Sequence, residues 1–192
     1  MKWHSRRTAL PTGLAGLLLI SAAFLLVPAG DGFGQSNAIT HSPADVVQKY
    51  FSLDNKGARL DATSFDTLGP YVEWKDEPVW GKIVVINGFS VPDDYRKWEV
   101  VNPLEVVIPV EFKILGSVYL DTAGFVPDST VEQVRVRVKV SGYRWKIVEP
   151  MLPPHVGQKR MLNFVRQAML DETEETHRAD LASLQSDLRK AK

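Results

Sequence analysis

Cysteine is absent from the 192 residues. That one absence removes disulfides, thiolate metal sites and cysteine nucleophiles. It also removes a lipoprotein anchor, which needs a cysteine at its cleavage site. Stability must therefore come from an ordinary packed core. Net charge is lacking too, with 23 basic residues against 23 acidic. Such a balance gives no electrostatic reason to expect nucleic acid as a partner. Histidine is scarce. His4, His41, His155 and His177 include no pair at metal-ligand spacing, so neither a metal nor another cofactor is expected. The one strongly apolar run, Leu14 to Val27, is shorter than the roughly 20 residues of a membrane-spanning helix.

What the N-terminus does contain is an export pattern. Lys2, Arg6 and Arg7 precede the apolar run, and Val27-Pro28-Ala29 offers small residues for cleavage. Residues 1–29 are read as a signal peptide, with an uncleaved anchor as the alternative, and a second cleavage point ends at Ala38. The folded part is expected outside the cytoplasm, periplasmic or secreted, and at the membrane only if the anchor is kept. Cleavage after Ala29 leaves 163 residues, enough for one domain with a sizeable core. It removes three of the 23 basic residues, leaving 20 against 23 acidic, a formal charge of −3.

Residues 30–41 are rich in Gly, Ser and Asn and read as a leader. Ser42-Pro43 then predicts a helix. Serine caps free amides, proline suits the first turn, and Asp45 completes a capping box. Val46, Val47, Tyr50 and Phe51 form its apolar stripe, and Gly57 is its expected stop. A short helix or turn is expected from Ser64 to Leu68. Strands are predicted at Tyr71–Trp74, Lys82–Ser90 and Trp98–Val101. Two stronger ones follow. Val106, Ile108, Val110, Phe112 and Ile114 alternate with other residues, with Gly116 as a candidate bulge. Val134, Val136, Val138 and Val140 alternate with Arg135, Arg137 and Lys139. Ser141-Gly142 turns the chain into Tyr143, Trp145 and Ile147. From Gln158 the pattern becomes helical, ending on Leu181, Leu184 and Leu188.

The predicted fold class is α+β, an N-terminal helix packed on a curved antiparallel β-sheet, with a C-terminal helical extension. The domain is placed at 42–154 and the extension at 155–192. The opening helix, Ser42 to Phe51, and the closing hairpin, Val134 to Val148 with Tyr143-Arg144-Trp145-Lys146-Ile147-Val148, resemble the NTF2-like (cystatin-like, cone-shaped) superfamily over residues 42–150. The resemblance implies a helix lying in the mouth of a bent sheet. It also implies either a binding module or a lyase or isomerase of the SnoaL or steroid-isomerase type that uses an inward carboxylate as base.

No constellation of polar residues marks catalysis. The histidines are expected to be solvated. Asp54, Asp66, Glu73 and Glu111 are the acids able to reach a cavity, and each is expected to be a surface residue. The aromatics Tyr50, Trp74, Trp80, Phe112, Tyr119 and Trp145 are the candidates for a ligand pocket. Their competing role is to fill the core. The row Arg135, Arg137, Lys139, Arg144 and Lys146 is expected to be a wet face balanced by acids such as Glu111 and Glu132. The expected function is that of an exported, non-catalytic module. It would bind a small hydrophobic ligand or a protein partner, including a second copy through the sheet or the C-terminal helix. A membrane-tethered structural protein is the third reading.

Overall fold

A computed structural model of the chain describes residues 41–60 and 64–192. The expected signal and all but the last residue of the expected leader lie outside the described residues. The first helix, α1 (Pro43–Asn55), starts as its sequence dictates. The Ser42 side chain accepts from the Asp45 amide at 3.1 Å, and the Asp45 carboxylate accepts from the Ser42 amide at 3.0 Å. Ser42→Ala removes half of this reciprocal cap. It is expected to lower the unfolding free energy by about 1 kcal/mol in urea titration, with an unchanged slope. Gly57, at φ 79°, ends the helix by donating to the Asp54 carbonyl at 2.7 Å. A 3-10 turn (Ala58–Leu60), the short α2 (Ser64–Leu68) and a second 3-10 turn (Gly69–Tyr71) lead to the sheet.

The strands are β1 (Lys82–Ser90), β2 (Glu99–Asn102), β3 (Glu105–Tyr119), β4 (Gly124–Ser141), β5 (Arg144–Glu149) and β6 (His155–Gly157). Their order is β5-β4-β3-β1-β6, with β2 also paired to β3. All pairs are antiparallel except β1 with β6. The sheet is strongly curled. Register shifts in β1, at Gly116 and beside Arg137 supply local twist. Two helices follow, α3 (Gln158–Asp171) and α4 (Glu175–Lys190). The chain is thus α+β, with an antiparallel-rich curled sheet and C-terminal helices.

Helices cover both faces of the sheet, and β1 shows why its sequence is continuously apolar. Val84 and Ile86 join the core under α1, whereas Ile83 and Val85 join a second core with Met161, Val165, Leu181, Leu184 and Leu188. A strand buried on both faces has no reason to alternate. The leucine stripe of α4 is therefore used within its own domain. In β3, Ile114 faces the first core and Leu115 the second, but Val118 also faces the second. The extra residue at the Gly116 bulge produces this change, since a one-residue slip turns a strand over. Gly116 has φ 150°, and a Cβ there would lie 2.3 Å from the Val126 carbonyl oxygen. Only glycine fits.

Two expectations are corrected. Tyr71–Trp74 is no strand: it is a 3-10 turn running into a single bridge between Val72 and Ile147. The wet basic row is balanced, but by other acids. Arg135 pairs with Glu99, and Arg137 pairs with Glu105 and Glu149. Glu132 instead stands opposite Phe112 in the β3–β4 ladder.

Candidate functional site

The stripe Val47, Tyr50, Phe51 continues at helical spacing to Asp54, so the carboxylate enters the core with its apolar neighbours. Asp54 is fully buried. After the Gly57 turn the chain doubles back, and Arg59 grips the carboxylate with two bonds, Nε to Oδ1 at 2.8 Å and a terminal nitrogen to Oδ2 at 2.6 Å. The His155 backbone amide donates to the same Oδ2 at 2.9 Å. Arg59 also donates to the Leu152 carbonyl at 2.8 Å, the Pro153 carbonyl at 3.1 Å and Glu77 at 3.2 Å. Its five N–H donors thus meet five acceptors. Burial pulls the guanidinium pKa down, but the hydrogen bond and charge of Asp54 raise it above the ordinary arginine value. The network ties α1 to segment 73–81 and to the chain entering β6.

Around this ion pair the aromatics interlock. Phe51 meets Phe112 edge-on at 4.9 Å between ring centres, Phe112 meets the His155 ring at 4.5 Å, and Tyr50 meets Trp74 at 6.3 Å. The Arg59 guanidinium lies 5.7 Å from the Tyr50 ring centre, within cation–π range. The expectation of solvated histidines fails at His155, which is buried and donates from Nδ1 to the Pro153 carbonyl at 2.7 Å. It fails because His155 is the first residue of β6, a strand its sequence does not advertise. The expectation of a surface acid fails at Asp54. Its place in the α1 stripe was the available signal.

Burial pushes the His155 imidazole below its ordinary pKa. The folded protein therefore keeps the ring neutral where the unfolded chain protonates, below about pH 6.5. The unfolded state then binds more protons, so stability is full above that pH and falls as acid is added, down to the lower folded pKa. Thermal melts across this range should show the loss, and His155→Asn should remove it. A further loss in stronger acid should survive in that variant, because the Arg137 side chain and the backbone amide of Glu174, respectively, hold Glu105 and Glu172 below the usual carboxylate range.

The six expected pocket aromatics do not share one pocket. Tyr50 and Phe112 are buried under α1, and Trp74 packs on the same core. Trp145 belongs to that core too, and with Val46, Pro70, Tyr71, Arg144 and His41 it lines a shallow cleft of about 210 Å³. Tyr119 is 40% exposed and lines a separate cleft against α3 and α4. Trp80 is half-buried just before β1. Three of the six share another property: Tyr50 Oη, Trp74 Nε1 and Trp80 Nε1 are buried with no acceptor among the described residues. Burial raises the Tyr50 pKa far above the ordinary phenol range, so the hydroxyl remains a donor.

The other acids stay outside this core. Asp66 is exposed. Glu73 accepts from the Ser141 hydroxyl at 3.2 Å. Glu111 is partly buried and borders a surface hollow with Phe89. Among the described residues no group of three His, Asp or Glu side chains could hold a metal ion, and no helix is long and apolar enough to cross a membrane. Comparison with known proteins finds no matching family model, no matching curated protein and no matching solved structure.

Proposed function

We propose that the chain is an exported, non-catalytic module of the cone-shaped NTF2-like type. It holds a small, largely apolar ligand with a hydrogen-bond acceptor between α1 and segment 73–81. The carrying observation is the set of buried unpaired donors, Tyr50 Oη, Trp74 Nε1 and Trp80 Nε1. Leaving a buried donor unmet costs about 1–3 kcal/mol, so these donors, two of them on the rings of Tyr50 and Trp74 that meet at 6.3 Å, favour an acceptor as occupant. Segment 73–81 has no helix or strand, which makes it the natural entrance. The binding reading is preferred over a lyase or isomerase because the inward acid, Asp54, already directs both oxygens at Arg59 and the His155 amide. A base would need an oxygen facing substrate. Export rests on residues 1–29, and N-terminal sequencing of protein from the cell envelope tests it.

The binding test is native mass spectrometry on protein isolated from its own cell envelope. The expected result is a small-molecule adduct that Tyr50→Phe loses, with the stability of the empty protein unchanged or higher by up to about 1 kcal/mol. Wild-type protein that carries no adduct would overturn the reading.

A further inference from the structure

A second site, independent of the first, lies on the opposite face of the sheet. The cleft between the β3–β4 hairpin, α3 and α4 has a volume of about 130 Å³ and opens to solvent beside Tyr119 and Leu120. Its walls include Val118, Ala123, Val165, Ala168, Leu181 and Leu184. An apolar space near 150 Å³ is large enough for a benzene-sized guest. The charged or imidazole-bearing residues on this lining are Glu172 and His177, from the α3–α4 junction and the first turn of α4.

Those two residues are fixed relative to each other. Glu172 Oε1 accepts from the amides of Thr173 at 2.8 Å and Glu174 at 2.9 Å, and Oε2 meets His177 Nδ1. A carboxylate can only accept, so Nδ1 carries the proton, and in the neutral ring Nε2 is left as an acceptor. An apolar chamber with one imidazole acceptor on its lining complements a ring bearing one hydroxyl. We infer that this cleft binds small monocyclic phenols, with the ring among the leucine and valine side chains and the hydroxyl donating to His177.

The probes are phenol and benzene, added separately to the full chain at pH 8. Binding is followed by NMR, with cross-relaxation from probe protons to the side chain of Met161, a residue of the lining. Phenol is expected to bind more tightly than benzene and to show that cross-relaxation. His177→Ala should weaken phenol about fivefold, one lost hydrogen bond, and leave benzene unchanged. Ala168→Phe, at a partly exposed position, should fill the chamber and abolish both. Three results would each overturn the inference: no cross-relaxation to Met161 at millimolar probe, equal loss of phenol and benzene in His177→Ala, or undiminished binding in a folded Ala168→Phe protein. The first requires no variant to fold.

Discussion

Arg59→Met is expected to cost about 3–5 kcal/mol of unfolding free energy, the range for removing one partner of a buried ion pair. The side chain is 3% exposed and its partner Asp54 is 0% exposed. Methionine keeps much of the volume but leaves the carboxylate with one donor, the His155 amide, and strips the Leu152 carbonyl of its arginine donor, while the Pro153 carbonyl keeps His155 Nδ1. Arg59→Lys keeps the charge without the fork, so it should fall between the variant and the wild type. Replacing both partners, Asp54→Leu with Arg59→Met, should recover part of the loss. Recovery stays partial because the Leu152 carbonyl and the His155 amide remain unmet. Urea unfolding of the four proteins measures all of this. A loss below about 1 kcal/mol for Arg59→Met would show that water reaches the pair.

Phe112→Ala should be comparably severe, at about 3–5 kcal/mol. Phe112 is fully buried and its ring meets Phe51, Phe89 and His155. Few domains have more than 5–15 kcal/mol to lose. The substitution has a second readout. Water admitted to the space beside His155 weakens the desolvation that holds its pKa down, so NMR titration of the ring should move toward the ordinary value near 6.5. A destabilised protein whose His155 titration does not move would mean that the void collapses and stays dry.

The elements governed by local rules were legible. The capping box at Ser42 and Asp45, the alternation through β3 and β4, and the Gly116 bulge all follow from near neighbours in the chain. The elements that depend on distant partners were not. β6 is three residues long and exists because β1 offers it an edge. His155 reads as a polar residue after two prolines, and only that pairing buries it. Asp54 stood at the right helical spacing, but a lone acid near a helix end is usually solvated. Its partner Arg59 lies beyond the glycine turn, where helical spacing no longer predicts neighbours. The aromatic residues were found as a set, but sequence could not divide them between two faces of a sheet.

The Asp54 contacts also set an order of events in folding. Arg59 is five residues away, so that pair can close as soon as the Gly57 turn forms. The third donor, the His155 amide, comes from 101 residues further along the chain. Closing so long a loop carries an entropic cost that local structure does not repay. The acid is thus committed early to its arginine but sealed only when the last strand arrives, which makes β6 the final latch. A chain cut before residue 155 would still contain both members of the charge pair, yet lack the amide that seals them.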